Sequence, residues 1–315
     1  MRSLILFFLV TFLIISCHKD EIVFIPDQTF SINSDELLSK LVETPQSFQI
    51  ILNNTRNIFI ASDNIIIDIP EQSLQDESGQ VVTGEIKMQF KEFSHKKSNL
   101  LYGPSSIFQN KVLNYSKIFY IKFSQNGKTL QIIKPIDVYL PSQDNNLNYL
   151  IYNAKKIDET FVWSKMMGES ENVRNESWNL SYHDAQLNVK GFKVSVSGAS
   201  NWHCIASQPE QQTKVIDVCL NTPSAFSKNN SLVYLVINDS NSSIKLEADG
   251  DSSSFCVQNI LTNQKLDAKL IVISHLGNEN YYFGMTNAVL DSSIDVAINP
   301  VKKNIKDIKE ALNSL

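Results

Sequence analysis

The chain has 315 residues, of which 43% are hydrophobic and 19% charged, and these values exclude a wholly disordered protein. It carries 28 basic and 33 acidic residues, a formal net charge of −5, and the basic residues form no long block, so the charge gives no basis for nucleic-acid binding. The length suffices for two domains of ordinary size.

The N-terminus has the layout of an export signal. Arg2 precedes an uncharged apolar run from Leu4 to Ile15, and the small residue Ser16 follows. The run suits the hydrophobic region of a signal peptide and is shorter than the ~20 residues that a membrane-spanning helix needs. We therefore expect residues 1–16 to be removed before Cys17 on export.

The segment Ile14-Ile15-Ser16-Cys17 resembles the lipobox of bacterial lipoproteins. The resemblance implies that Cys17 receives a diacylglycerol and that the new N-terminus is acylated. Several acyl chains give stable membrane attachment, whereas a single chain gives only marginal affinity. The alternative is an ordinary secretory signal in which Cys17 is incidental.

The next residues form a tether, expected over 17–32. Its start, His18-Lys19-Asp20-Glu21, resembles the Lys-acidic-acidic export tag that follows the acylated Cys in surface lipoproteins of some Gram-negative bacteria. The resemblance implies an outer-membrane lipoprotein exposed at the cell surface. The alternatives are a merely solvated tether and a protein that faces the periplasm.

Strands are predicted to dominate after a short helix over 35–42 that Ser34 can cap. Residues 82–90 alternate as a half-buried strand does, with Val82, Gly84, Ile86, Met88 and Phe90 on one side and Thr83, Glu85, Lys87 and Gln89 on the other. Turns are expected at Asp63-Asn64 and at the hairpin signal Asn126-Gly127. Further strands are predicted over 48–52, 58–61, 65–69, 118–123, 130–133 and 136–140.

The stretch 63–142 resembles the N-terminal module of a broad group of bacterial surface lipoproteins, and it is loosely similar to ZU5-type β-sandwich domains. The residues that carry the likeness are Ile-Asp-Ile-Pro, Val-Thr-Gly-Glu-Ile-Lys-Met, Ile-Phe-Tyr-Ile-Lys-Phe, Asn-Gly-Lys-Thr-Leu and Ile-Asp-Val-Tyr-Leu-Pro. These motifs describe turns and strands, so the resemblance implies a ZU5-like β module over 33–142 and leaves its function open.

The rest of the chain is expected to be all-β as well, apart from its end. Connecting strands are predicted over 143–200, and an immunoglobulin-like sandwich over 201–300 from the strand-to-turn spacing. The lipoprotein group tends to carry a Trp near the start of this second module, and Trp202 fits. A final helix is predicted within 301–315, capped by Asn304.

The cysteines other than Cys17 are Cys204, Cys219 and Cys256. An exported protein meets an oxidising compartment, so we expect either one disulfide among the three or three buried thiols. His203 beside Cys204 offers zinc-ligand or thiol-nucleophile chemistry. Adjacent residues of a strand point to opposite faces, which argues against a zinc site. Spacing in the sequence does not test a catalytic dyad, because its members are brought together by the fold.

The sequence contains no known catalytic motif, phosphate-binding loop or metal signature, so no cofactor and no metal are expected. The sequence therefore favours a non-enzymatic envelope lipoprotein whose β modules bind a glycan or protein ligand or have a structural role. One alternative is a glycan-capture protein in which Trp163, Trp178 and Trp202 share an exposed face, although aromatic side chains often fill β cores instead. The other is a hydrolase of envelope polymers, which requires acid-base groups converging in one pocket.

Overall fold

The computed structural model describes residues 34–41, 45–53, 55–93, 96–102, 104–144, 148–157, 160–166, 173, 175–182, 185–208, 213–248, 250, 252–262 and 265–315. The predicted signal, the Cys17 lipidation site and the tether lie outside these residues. Ser31–Leu315 form one compact unit. The predicted all-β class is confirmed, because strands in three sheets and only three short helices make up the described part.

The elements are listed here in chain order. The strands are β1 (Gln46–Leu52), β2 (Asn57–Ile60), β3 (Ile66–Ile69), β4 (Leu74–Gln75), β5 (Gly84–Glu92), β6 (Ile107–Phe108), β7 (Lys111–Val112), β8 (Asn114–Gln125), β9 (Lys128–Thr129), β10 (Gln131–Pro141), β11 (Leu150–Ile157), β12 (Thr160–Lys165), β13 (Glu176–Tyr182), β14 (Ala185–Gly198), β15 (Trp202–Ser207), β16 (Lys214–Asn221), β17 (Ser231–Ile237), β18 (Ser243–Ala248), β19 (Ser254–Thr262), β20 (Leu266–His275), β21 (Tyr281–Leu290), β22 (Ile294–Ala297) and β23 (Val301–Lys303). The helices are α1 (Ser34–Leu41), α2 (Lys96–Tyr102) and α3 (Ile305–Asn313).

Two sheets pack face to face as the first sandwich. Sheet 1 has the order β1-β5-β8-β15-β11-β12, with β9 beside β8, and sheet 2 has the order β13-β14-β10-β3-β2, with β4 beside β10. Alternate residues of each strand point between the sheets, as strand geometry dictates, and the apolar side of the predicted 82–90 strand is buried there. This core includes Ile50, Ile86, Met88, Phe90, Ile121, Phe123, Ile67, Val138, Leu140, Val194 and Val196.

The predicted turns of this sandwich are confirmed by their backbone angles. Asp63 and Asn64 have φ values of 57° and 58°, and Asn126 and Gly127 have φ values of 51° and 80°. Asn, Asp and Gly tolerate this left-handed region better than other residues do, which is why these pairs end strands. One strand differs from the expectation, since 130–133 and 136–140 merge into β10 across a register shift.

The second sandwich is built from sheet 3, of order β22-β16-β19-β18-β17-β20-β21-β23. Strand β18 pairs with β17 on one side and with β19 on the other, and the sheet encloses a core of its own that includes Val218, Leu220, Val233, Leu235, Ile244, Leu246, Phe255, Leu270 and Val272. Every residue of β17 is buried. A strand that is buried on both faces has a nearly continuous apolar sequence. Strand β17 shows this from Leu232 to Ile237.

The three helices cover the outer face of sheet 3. Leu37 and Leu41 of α1, Leu100 and Leu101 of α2 and Ile308 and Leu312 of α3 pack there against Leu232, Tyr234, Val236, Ile271, Ile273, Tyr281 and Phe283. The predicted cap of the C-terminal helix is confirmed, because the Asn304 side chain accepts a hydrogen bond from the Asp307 amide at 2.8 Å. Helix α2 was not predicted.

The two sandwiches are interleaved through the chain between β5 and β8, which we call the crossing segment (residues 93–113). It places α2 on sheet 3, pairs β7 with β19 and then returns to sheet 1. Its return is held by hydrogen bonds from the Ser106 amide to the Ser243 carbonyl, 2.8 Å, and from Ser242 Oγ to the Leu113 carbonyl, 2.6 Å.

This connectivity differs from the predicted domain boundaries. The segment 143–200 does not merely connect two modules, because β14 pairs with β10 and β11 pairs with β15 inside the first sandwich. Strand β15 also belongs to sheet 1, where it pairs with β8. The change from one sandwich to the next therefore falls after Ser207 rather than at residue 201.

Candidate functional site

The cysteines resolve into one disulfide and one free thiol. Cys219 and Cys256 are opposite each other on β16 and β19 and are joined by a disulfide, while Cys204 is free and buried. The expected single disulfide is therefore present, and it is one of the three pairings that Cys204, Cys219 and Cys256 allow. Both bonded residues are half-buried on the outer side of sheet 3, away from Val218 and Leu220 in the core.

His203 and Cys204 point to opposite faces of β15, as predicted. The His203 ring stacks on Phe119 in the first sandwich, with 5.2 Å between ring centroids, and its Nε2 donates to the Ser200 carbonyl at 3.1 Å. Burial lowers the pKa of His203 to about 4 and raises the pKa of the Cys204 thiol well above its ordinary value. The Cys204 thiol is enclosed and protonated, and the His203 ring points away from it. Such a thiol is poorly suited to nucleophilic attack.

The alternative in which the three tryptophans share an exposed face is wrong, whereas the interpretation that aromatic side chains fill β cores is correct for Trp163 and Trp202. Trp163 is 2% exposed and Trp202 is 9% exposed, both on the outer side of sheet 1. The Trp163 indole donates to the Ser105 carbonyl at 2.9 Å. Trp178 is half-buried on sheet 2 and donates to the Gly191 carbonyl at 3.2 Å. Two of these rings fill packed regions, because their large apolar surface is stabilised by burial.

The outer face of sheet 1 is divided into a covered half and an open half. In the covered half the crossing segment lays Phe108 and Leu113 over an aromatic cluster. Its buried members include Tyr115, Ile118, Tyr152, Trp163, Cys204 and Ala206. Phe108 meets Tyr152 edge-on at 5.2 Å, and Tyr115 meets Trp163 edge-on at 5.8 Å.

The open half is a polar groove with a volume of 570 Å³, and we refer to it as the β1/β5/β8 groove. Strand residues form its floor and the hairpin after β8 forms one wall. The lining residues are Gln49, Glu85, Ile86, Lys87, Gln89, Lys122, Ser124, Gln125, Asn126 and Gly127. The wall is held in place by the Gln125 side-chain amide, which donates to the carbonyls of Thr83 and Glu85 at 3.1 Å each.

Strand register decides which side chains meet on the groove floor. Lys87 lies opposite Gln49 on β1 and opposite Ser124 on β8, and Gln89 lies opposite Lys122. Lys87 and Lys122 are therefore diagonal neighbours on the same face, a separation of roughly 7–8 Å in antiparallel sheets. Two ammonium groups, side-chain amides, a hydroxyl and the single carboxylate of Glu85 thus share one concave surface.

Within the described structure, Lys87 and Lys122 lack the carboxylate partner that several basic side chains on the first sandwich have. Elsewhere, basic side chains are paired as Arg56–Asp68 at 2.6 Å, Lys117–Glu92 at 2.6 Å and Lys193–Asp137 at 2.8 Å. Among the residues that the structure describes, neither Lys87 nor Lys122 forms an ion pair, although Lys122 is half-buried. The groove is accordingly a locally basic surface on an acidic chain.

Aromatic rings border the groove on the side of the covered half. Lys91 and Tyr120 are opposite each other in the next row of the sheet, and Trp202 follows Tyr120 across β15. Trp202 meets Tyr120 edge-on at 5.3 Å and Phe161 edge-on at 5.9 Å. Tyr120 is half-buried and Phe161 is 36% exposed, so this border presents ring surface to a ligand in the groove.

A second polar cleft, of 520 Å³, lies where the two sandwiches meet. It is lined by Asp144 and Tyr149 from one side and by Lys96 and Asp239 from the other. The Tyr149 hydroxyl donates to the Asp144 carboxylate, and the Lys96 ammonium donates to the Ile237 carbonyl at 3.1 Å. Burial lowers the pKa of Lys96, the nearby Lys269 lowers it further, and Asp239 opposes both.

Sequence reasoning found only part of the groove. The alternation of residues 82–90 placed Glu85, Lys87 and Gln89 on the polar side of a strand, and the structure brings these residues to the groove. Gln49 and Lys122 were not singled out. The polar sides of β1 and β8 carry these two residues. They could have been assigned to the groove only if the pairing of both strands with β5 were known, and that pairing joins residues far apart in the chain.

Within the described ranges, no group of three or more His, Cys, Asp or Glu side chains is arranged to hold a metal ion. Nor does any helix of those ranges combine the length and apolar character needed to cross a membrane. No protein-family model matches the chain, and neither a curated protein nor a solved structure is significantly similar to it.

Proposed function

We propose that the chain is a lipid-anchored outer-membrane protein, exposed at the cell surface, that binds a ligand rather than catalysing a reaction. The lipobox-like segment before Cys17 supports the anchor, and the tag-like Lys19-Asp20-Glu21 supports the surface position. The observation that carries the binding role is the β1/β5/β8 groove, where two lysines face solvent without a carboxylate partner among the described residues.

The electrostatic repulsion between the two lysines is the physical reason to expect a ligand in the groove. Two like charges on diagonally neighbouring positions of one sheet face repel each other, and a fold gains nothing from them in isolation. An anionic ligand offsets the repulsion and forms charge-assisted hydrogen bonds with both groups. Their arrangement in a concave surface is therefore typical of a binding site.

The anchoring part of the proposal is tested by protease accessibility on intact cells, comparing the wild type with Cys17→Ala. We expect external protease to remove the wild-type protein from intact cells, and we expect the Cys17→Ala protein to be absent from the membrane fraction. A periplasmic marker protein that stays intact shows that the outer membrane is closed.

A triple substitution, Lys19→Ala, Asp20→Ala and Glu21→Ala, separates anchoring from surface exposure. We expect this variant to remain in the membrane fraction and to become protected from external protease. Protection of the wild type itself would instead place the protein on the periplasmic face and refute the surface position. A Cys17→Ala protein that still partitions with membranes would refute the lipid anchor.

Hydrolysis of a polymer is the second candidate, and the cleft between the sandwiches is the observation that favours it. Asp144 and Asp239 line one polar cavity, and two carboxylates are the usual requirement for glycoside hydrolysis. The engagement of Asp144 with the Tyr149 and Ser116 hydroxyls, the latter at 3.3 Å, favours a structural role for it. Release of reducing ends from a polysaccharide, lost in both Asp144→Asn and Asp239→Asn, would establish the enzyme instead.

A further inference from the structure

We infer that the β1/β5/β8 groove binds an acidic polysaccharide of the polyuronate type, in which each sugar ring carries a carboxylate. The inference rests on the proposed binding function and names the chemistry of its ligand. It is carried by three features of the groove: a row of ammonium groups, hydrogen-bonding side chains between them, and an aromatic border.

The ammonium groups follow a zigzag across two strands. Lys122 on β8 is a diagonal neighbour of Lys87 on β5, and it is equally a diagonal neighbour of Lys91, whose partner opposite is Tyr120. The backbone positions of such neighbours lie roughly 7–8 Å apart, so Lys87 and Lys122 on the groove floor are followed along the sheet by Lys91 at its border. A polymer with a carboxylate on every unit matches a row of charges better than a ligand with one isolated acid does.

The side chains between the lysines suit the hydroxyl groups of sugars. Gln49 lies opposite Lys87, Gln89 lies opposite Lys122, and Ser124 completes the row that contains Lys87. Amide and hydroxyl groups both donate and accept hydrogen bonds, as sugar hydroxyls do. The groove floor therefore offers partners for neutral polar groups as well as for carboxylates.

The aromatic border suits the apolar face of a sugar ring. Tyr120 stands in the row after Lys122 and is half-buried, with Trp202 edge-on behind it at 5.3 Å. A ring supported in this way keeps one face in place for stacking. The Lys91 ammonium lies 5.8 Å from the centroid of the buried Phe93 ring, so a charge lies next to the aromatic border at this end.

Two other anionic polymers fit the groove less well. Nucleic acid carries a dense phosphate charge, whereas the chain as a whole has a net charge of −5 and would repel it outside the groove. An acidic peptide gains much of its affinity from apolar side chains in pockets, and the groove is lined almost wholly by Gln, Lys, Glu, Ser and Asn.

The test measures binding of the detergent-extracted full chain to polygalacturonate by calorimetry. Dextran is the neutral polysaccharide control, and polyglutamate is the acidic peptide control. The variant is Lys87→Gln/Lys122→Gln, which keeps side-chain length and removes two charges. Its matched control is Lys302→Gln/Lys303→Gln on β23, where two exposed lysines of the second sandwich are changed in the same way.

We expect polygalacturonate to bind, with an affinity that falls as salt is added, and dextran to bind far more weakly. The groove variant should lose about tenfold or more in affinity, since two charge-assisted hydrogen bonds are removed, while the β23 control keeps the wild-type affinity. A single Lys122→Glu substitution should lose at least as much as the double variant, and unfolding curves that match the wild type exclude misfolding.

Three results would overturn the inference: no binding of polygalacturonate, equal binding by the groove variant and the wild type, or equally tight binding of polyglutamate. The last would identify an acidic protein as the better partner. Each of these leaves the protease-accessibility result for Cys17→Ala untouched. A failure of the polyuronate inference can therefore be told apart from a failure of the lipid anchor.

Discussion

The two halves of the outer face of sheet 1 belong to one continuous sheet and yet have opposite characters. Where the crossing segment lies over the sheet, the outward positions of β15, β11 and β12 hold Cys204, Tyr152 and Trp163, all buried. Where nothing in the described structure lies over it, the outward positions of β1, β5 and β8 hold Gln49, Lys87 and other polar residues.

This difference shows that the polarity of a sheet's outer face depends on whether another segment of the chain packs over it. The same period-two alternation gives an apolar inner side throughout, but the outer side is mainly apolar where a second layer excludes water and mainly polar elsewhere, with the exposed Ile51 as an exception. The covered half is expected to determine stability and the open half binding. The experiments below test this division, beginning with the largest expected effect.

The strongest test is the removal of a buried ring from the covered half. Trp163→Ala leaves a cavity beneath the crossing segment and the Ser105 carbonyl without its indole donor. We expect it to lower the free energy of unfolding by about 3–5 kcal/mol, measured by urea denaturation. The half-buried Trp178→Ala is the control, and an equal loss from both would show that the covered half is not a special part of the core.

The inner side of β15 gives the next largest effect, and it depends on pH. Burial lowers the pKa of His203 from 6.5 to about 4, so the unfolded chain takes up a proton in this range and the folded chain does not. The free energy of unfolding should therefore fall as pH drops from 6.5 to 4, by about 3 kcal/mol at most. His203→Gln should lose this dependence when unfolding is compared at pH 7 and pH 4, and an unchanged dependence would assign the effect to other groups.

A smaller loss of stability is expected from removing a hydrogen bond that holds the crossing segment in place. In Ser242→Ala the buried Leu113 carbonyl loses the donor that lies 2.6 Å away. The free energy of unfolding should fall by about 1–2 kcal/mol in the same urea assay. Ser292→Ala, which removes an exposed hydroxyl, should be neutral. If neither variant changed the free energy of unfolding, this hydrogen bond would have no part in holding the crossing segment in place.

The smallest effect is expected in the open half. Lys87→Gln/Lys122→Gln removes charges that have no carboxylate partner among the described residues. Its unfolding free energy should stay within about 0.5 kcal/mol of the wild type. A loss comparable to that of Trp163→Ala would end the division of the face into a stabilising half and a binding half.

Sequence reasoning predicted the local features of the fold. Alternation gave the buried side of β5, and the residue pairs Asp63-Asn64 and Asn126-Gly127 gave two turns, because both kinds of signal act between neighbours in the chain. It also gave the C-terminal helix with its Asn304 cap. The pairing of Cys219 with Cys256 was one of three open choices.

The features that were missed depend on long-range pairing. Trp202 was assigned to the start of the second module, because no local signal tells that β15 returns to pair with β8. The burial of Trp163 agrees with the sequence-based interpretation, but the segment that covers it, near Ser105, could not be foreseen for the same reason. The groove requires the register of three strands, of which the sequence indicated only the polar side of one.

The interleaving of the two sandwiches also has a consequence for the order in which the chain folds. Helix α1 at the start of the described chain packs in one cluster with α3 at its end, and the crossing segment needs β19 for its own pairing. The second sandwich with its helices, and the crossing segment that covers the first, therefore cannot reach their final structure from a contiguous stretch of chain. Contacts of such high sequence separation slow folding, because loop entropy is lost before the contacts stabilise the product. A chain that emerges from a translocation channel N-terminus first would hold incomplete sheets until its last residues arrive, and in that interval it depends on protection from aggregation.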